Sequence, residues 1–334
     1  MKKALIAILV LGLLGSALAT ILLIDVYIYG RHPADAEAES QTLMVPGGQQ
    51  FGDTANALHR SGIITHPLKF KILARLKGFD KKIKSGEFLL SAAMSPLEIL
   101  DALVSGRVRL HKLTVPEGYN NKQIATLIAE TGFTTGDAFL KACTDNTLIQ
   151  SKGIAGQSFE GYLFPDTYYF PRPTTAETII SAMVQKFWSV FTPAFKQRAN
   201  ELNFSIHEIV TLASIIEKET GVPDERPLIS SVFHNRLKRQ MRLESDPTVI
   251  YGIKNFDGDL TRRHLKTPTP YNTYRMKGLP LGPIANPGKA AIQAALYPST
   301  SDYLYFVARK DHTHHFSTNL SDHNRAVRRY QLRR

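Results

Sequence analysis

The alternation of apolar and polar positions divides the chain into parts before any side-chain chemistry is considered. Lys2 and Lys3 precede an uncharged apolar run from Ala4 to Ile24, and the next charge is Asp25. Wound as a helix, that run spans roughly 31 Å, enough to cross the hydrocarbon core of a bilayer. Ala17-Leu18-Ala19 is the kind of site at which a secretory signal is cut, but the apolar run continues past it to Ile24. The expectation is therefore a retained anchor: residues 1–3 cytoplasmic, 4–24 transmembrane, and everything after Asp25 outside. Residues 31–41, "RHPADAEAESQ", are polar and aperiodic, which makes 25–42 a linker.

Residues 43–109 read as a small α/β unit. A strand leads into a helix over 53–61 and another over 67–77; "KSGEFLLS" is a short strand, and "SPLEILDALVSG" a helix capped by Ser95 and stopped by Gly106. A weak repeat links this unit to the start of the next stretch of chain. "VPGGQQFGDTANALHRSG" from Val45 aligns without gaps to "VPEGYNNKQIATLIAETG" from Val115, with Gly48/Gly118, Ala55/Ala125 and Gly62/Gly132 among the identities. Both copies have the residues of a strand, a tight turn and a helix closed by glycine. Small modules of this kind bind sugar polymers, so 43–109 is a candidate carbohydrate-binding unit.

The remainder, 110–334, reads as a mixed α+β domain. "FEGYLFPDTYYFPRP" (159–173) is aromatic and punctuated by proline, as in irregular chain or an edge strand. Its aromatics suit a core first and a sugar groove second, with Tyr162 and Asp166 the candidates for contact. The last third is dense in Pro, Gly and Asn turns ("ESDPTVIYG", "TPTPYNTYRMKGLPLGPIANPG"), which suit fixed walls around a site.

A formal net charge of +12 favours an anionic partner, such as a lipid surface or an acidic wall polymer. Arg325, Arg328, Arg329, Arg333 and Arg334 cluster at the C-terminus without interleaved stacking aromatics, so they read as a solvated tail helix and not as a nucleic-acid surface. Cys143 is the single cysteine, which excludes an intramolecular disulfide. His207-Glu208 opens like a zinc-protease helix, but Thr211 stands where the second histidine ligand belongs. His312, His314 and His315 are expected as polar loop residues, and neither a metal nor another cofactor is expected.

"LASIIEKETG" (212–221) carries the candidate chemistry. At 100° per residue, Ile209, Leu212, Ala213 and Ile216 form one apolar stripe, with Glu217 about 80° to one side and Glu219 about 80° to the other. Both border the buried face, and spacing does not choose between them. Partial burial there would raise a glutamate's pKa and keep it protonated, as a general acid requires.

"ASIIEKET", followed in order by "SVFHNRL", "MRLESDPTVIYG", "TPTPYNTY", "GLPLGPIANPG" and "YLYFVA", resembles the YceG-like family of endolytic murein transglycosylases. The resemblance extends to "EGYLFPDTYYF" and the N-terminal anchor. It implies an α+β fold with a LysM-like subdomain at 43–109 and a catalytic domain at 110–334. It also implies that Glu219, the second Glu of Glu-Lys-Glu-Thr, is the catalytic residue, with Glu217 its neighbour. The implied reaction is cleavage of the β-1,4 bond between N-acetylmuramic acid and N-acetylglucosamine in nascent peptidoglycan, without water, leaving 1,6-anhydro ends and ending strand elongation. Implied partners are peptidoglycan glycan strands, the inner membrane and membrane-bound peptidoglycan synthases. Candidates for substrate contact along these motifs are Asp246, Thr248, Tyr251, Tyr271, Asn272 and Tyr274; Tyr271-Asn272 is similar to the Tyr-Asn pair of other lytic transglycosylases. Two alternatives stay open: a hydrolytic muramidase with Glu217, Glu244 or Asp246 as second carboxylate, and a non-enzymatic wall-binding adaptor.

Overall fold

The computed structural model describes residues 2–332, which fall into two compact units: residues up to His111 together with Tyr169–Pro173, and Lys112–Tyr168 together with Thr174 onward.

The first unit begins with α1 (Lys2–Arg31). Among the described residues it is the one helix long and apolar enough to cross a membrane, a test that a signal sequence also passes. The helix corrects the expected linker. It runs unbroken past Ile24 to Arg31, and its last turns are packed into the unit, with Val26 5% and Tyr29 8% exposed. A Cβ at Gly30 would already lie 3.3 Å from Leu73. Val26, Tyr29 and Gly30 recur at the helical period, a short stripe that a linear reading does not separate from the exposed Tyr27 and Ile28 beside it. Residues 32–39 alone connect α1 to β1, and they too are tied down, Asp35 N–H donating to the Ala92 carbonyl at 3.0 Å.

The rest of this unit follows the apolar pattern. β1 (Ser40–Val45) pairs antiparallel with β2 (Gly86–Ser91), from Ser40 opposite Ser91 to Val45 opposite Gly86. Between them come α2 (Phe51–Arg60) and α3 (Pro67–Leu76), and α4 (Pro96–Ser105) comes after β2. Leu58, Phe70, Phe88, Ile99 and Leu103 are fully buried among these elements. Ser95 caps α4 by accepting from Glu98 N–H while Glu98 accepts from Ser95 N–H, and Gly106 ends it at φ 72°.

The other copy of the repeat follows, β3 (Leu110–Thr114), in which the second unit begins at Lys112, and α5 (Asn121–Thr131). Gly48 and Gly118 take φ of 77° and 75°, a left-handed turn that side chains resist, and Leu58 and Ile128 are equally buried. Then come α6 (Gly136–Cys143), α7 (Asn146–Ser151) and β4 (Thr167–Pro171), which pairs with β3. α8 (Ala176–Val190) and α9 (Pro193–Glu201) lead to α10 (Ile206–Glu219), where every residue from Ile209 to Ile216 is buried. α11 (Arg226–Lys238), α12 (Asp246–Gly252), α13 (Arg262–Lys266) and α14 (Lys289–Leu296) come next, with α11 and α14 packing on α10. β5 (Tyr305–Ala308) and β6 (His314–Ser317) form an antiparallel hairpin before α15 (Leu320–Val327) and a π-helical turn, Arg328–Leu332.

The hairpin corrects the expected histidine loop. Only His312 lies in the turn, at φ 66°, while His314 and His315 are strand residues. His314 is committed to Glu225, which accepts from its backbone N–H at 2.8 Å and faces its ring at 2.6 Å. Arg333 and Arg334 of the basic tail lie outside the described residues.

Candidate functional site

α10 is capped by Ser205, whose hydroxyl accepts from Glu208 N–H, so Glu208 serves the helix start. The helix ends at Thr220, which turns to φ −141° and accepts from Val222 N–H through its hydroxyl at 2.9 Å. Both glutamates of the motif therefore sit in the final turn, and they point into different surroundings.

Glu217 is bound into the packing. Its side chain is 6% exposed, accepts from Gly288 N–H at 2.9 Å and lies 3.5 Å from the Arg226 guanidinium. Burial pushes its pKa upward, against the pull of Gly288 N–H. It holds the start of α14 against the start of α11. A Cβ at Gly288 would meet the Glu117 carboxylate, so a larger residue there would have to displace that side chain.

Glu219 opens into a cavity of about 570 Å³ that is also lined by Arg236, Glu244, Asp246, Tyr274, Tyr305 and His314. Its Oε1 accepts a hydrogen bond from the Ser245 hydroxyl. Loss of hydration pushes its pKa up to about 7; the Ser245 hydrogen bond and Arg236 pull it down, and the Asp246 charge adds to the rise. A carboxyl poised there can give a proton and take one back near neutral pH.

The loop bearing Ser245 is fixed from several sides. Ser245 N–H donates to Thr273 Oγ1 at 3.0 Å, the Thr248 hydroxyl donates to Ser245 O at 2.6 Å, and the two threonine hydroxyls lie 2.8 Å apart. Thr248 is wholly buried and acts through this network, not through the cavity. Arg236 donates to the carbonyls of Arg242, Leu243 and Leu304 and pairs with Glu244 at 3.2 Å. Its guanidinium also lies 5.0 Å from the centre of the Tyr305 ring.

Of the residues singled out from sequence, Asp246 and Tyr274 join Glu219, the Tyr274 hydroxyl donating to Asp246 at 2.7 Å. Asn272 does not reach the cavity. It is fully buried and its amide donates to the carbonyls of His264, Leu265 and Thr267, so it shapes the loop instead. Tyr162 is 1% exposed, with its hydroxyl on His207 Nδ1 at 2.9 Å, and is a core residue. Asp166 pairs with Lys186 at 2.7 Å, which holds its carboxyl below the usual range, and it does not line the Glu219 cavity.

Tyr251 and Tyr271 line a second cavity of about 830 Å³ with Glu160, Lys122 and Lys218. Glu160 escaped the sequence reading. It is 5% exposed and accepts from Asn121 N–H, the Tyr251 hydroxyl and the Asn286 amide. Burial pushes its pKa up to about 7. Ser245 and Arg236 were also missed as site residues, although both lie within the family motifs; nothing in their spacing marks them as partners of Glu219.

The profile of the YceG-like family matches residues 43–329, a span that takes in Glu160 and all of α10. This protein belongs to the YceG-like family. A Bacillus subtilis relative named endolytic murein transglycosylase is 33% identical over 324 residues, covering 91% of this chain and 89% of its own. A Streptococcus pneumoniae relative of the same name is 30% identical over 330 residues, and the match spans 59% of that longer protein. The crystal structure of a YceG-like protein from Listeria monocytogenes, 34% identical, superposes with a TM-score of 0.60 over 87% of this chain and 100% of that one. The YceG-like span begins at residue 43, beyond α1 and its connection to β1.

Proposed function

We propose that this protein is an endolytic murein transglycosylase in which Glu219 is both the catalytic acid and the catalytic base. The observation that carries the reading is the Glu219 carboxyl, raised to about 7 at the wall of a polar, aromatic cavity. The names of its relatives support the reaction class. Protonated Glu219 gives its proton to the glycosidic oxygen between N-acetylmuramic acid and N-acetylglucosamine, and that bond breaks. The resulting carboxylate, held by the Ser245 hydroxyl, takes the proton of the muramic C6 hydroxyl as O6 bonds to C1. The products are a 1,6-anhydro end and a free 4-hydroxyl, and Glu219 ends protonated as it began. One carboxylate suffices because the nucleophile belongs to the substrate.

Asp246 lines the same cavity, and this favours a second reading, hydrolysis with Asp246 activating water. Mass spectrometry of the products separates the two, since hydrolysis adds a water that transglycosylation does not. Digestion of purified glycan strands is expected to give anhydro ends; reducing ends alone would establish the muramidase, and no new ends at any pH would leave a binding adaptor. Glu219→Gln should lower turnover by at least about 10²–10⁴-fold, as loss of a general acid–base group does. Glu217→Gln should remain measurably active, because Glu217 contacts Gly288 and Arg226.

The remaining parts of the reading concern place. The strand–helix–helix–strand order of the first unit supports a LysM-like, glycan-holding role for 43–109. α1 would cross the inner membrane with Lys2 and Lys3 inside and the chain after Ile24 outside, next to the synthases that release nascent strands. Alkaline extraction and N-terminal sequencing test this; a soluble form beginning at Thr20 would refute the anchor and leave the chemistry intact.

A further inference from the structure

We propose that α3 is a lipid-docking surface, its outer apolar face entering the headgroup boundary of the bilayer that α1 crosses. The proposal rests on the reading of α1 as a membrane anchor.

α3 has two apolar faces. Phe70, Leu73 and Ala74 enter the core of the first unit. Leu68, Ile72 and Leu76, spaced by four, form a second line along the helix and are 69%, 40% and 59% exposed. Three large aliphatic side chains in one exposed row, on a helix this short, mark a contact surface.

Its position in the unit says what covers it. Asp25 is the first charge after the apolar run, so it marks the level at which α1 leaves the hydrocarbon. Lys69 of α3 reaches that residue, Nζ to carboxylate at 2.8 Å. Leu68 precedes Lys69 and Ile72 follows one turn on, so the exposed row lies beside this contact. The contact continues along both helices: the Tyr29 and His66 rings are 6.0 Å apart, and Gly30 lies against Leu73. On α1 itself Ile24, Tyr27 and Ile28 remain more than half exposed, so its apolar surface continues past Asp25 on the face away from α3.

The charges fit the same partner. α3 carries Lys69, Lys71 and Arg75 and no acidic residue, with Lys77 directly after it and Arg31 at the end of α1. Cations with long apolar stems beside an aliphatic row, with the exposed Tyr27 at the end of a spanning helix, are the composition of a helix lying in the lipid interface. Because α1 enters the core of the unit without a flexible joint, this second attachment would fix the orientation of the first unit on the membrane.

The test uses the full chain in vesicles of phosphatidylglycerol and phosphatidylcholine. An environment-sensitive fluorophore is placed at Leu68→Cys, Ile72→Cys or, as an exposed apolar control on β2, Leu89→Cys. Cys143 is buried and its thiol pKa is pushed up, so it does not compete for label in the folded protein. Flotation after alkaline extraction first establishes that α1 is inserted; failure there refutes the anchor and is distinct from failure of docking. In floated protein, labels at 68 and 72 should shift to shorter wavelength and be quenched by lipids doxyl-labelled near the headgroup, while the label at 89 stays accessible to aqueous iodide. Equal iodide access at all three positions overturns the proposal. So does a wavelength shift at 68 and 72 without lipid quenching, which would assign the face to a protein partner.

Discussion

Glu217 and Glu219 are two residues apart and chemically identical, yet they meet different surroundings. Helical spacing places both on the rim of the apolar stripe and stops there; the loops that fold over each rim decide. One rim meets Gly288 and Arg226, and the other meets the Ser245 hydroxyl at an open cavity. This difference has a signed pH consequence. A general acid works only while protonated, so kcat/KM should fall as pH rises through about 7, the Glu219 value. Ser245 stabilises the carboxylate, so Ser245→Ala should raise that pKa and move the falling limb to higher pH. The Asp246 charge disfavours the carboxylate, so Asp246→Asn should move the limb to lower pH. A pH–rate profile for each variant checks both directions; a limb that stays in place in both would remove Glu219 from the role of acid.

Whole elements depend on a buried carboxylate that the linear pattern did not mark. Glu160 joins the start of α5, the Tyr251 side chain of α12 and the Asn286 side chain ahead of α14. Each donor left unpaired in the interior costs about 1–3 kcal/mol. Glu160→Ala should therefore destabilise the protein by several times that of a typical surface change, whereas Glu160→Gln, which keeps an acceptor, should cost much less. Denaturant unfolding of the two variants checks this, and equal losses would show that the hydrogen bonds contribute little. In contrast, helix starts and stops were open to reading. Ser95, Gly106 and the Gly48/Gly118 pair act within a few residues of themselves, so local sequence carries their signal. Glu160 finds its partners 39, 91 and 126 positions away, where no local pattern reports them.

At the scale of the whole molecule, the helix that carries the N-terminal apolar run is also part of a folded core. Its last turns supply Val26 and Tyr29 to the core of the first unit. A soluble fragment cut at residue 33, where a linear reading puts a linker, would lose both side chains and expose the pocket around Leu73. Two buried side chains of this size are worth roughly 3–5 kcal/mol. A fragment starting at Asp25 should therefore melt several degrees above one starting at 33; equal melting temperatures would show that the end of α1 is dispensable to the unit.

The sequence alone determined what short-range physics controls: an apolar run long enough for a bilayer, capped helices, tight glycine turns, and a helix ending in two rim glutamates among ordered motifs. Family membership was legible for the same reason, since the motifs recur in order along one chain. Tertiary structure decided what depends on distant segments meeting. It placed Ser245, Arg236 and Asp246 around one glutamate, withdrew Tyr162, Thr248 and Asn272 into the packing, and carried α1 into the core. A side chain's hydration and charge environment, and therefore its pKa and its chemistry, are set by neighbours brought together only when the chain folds.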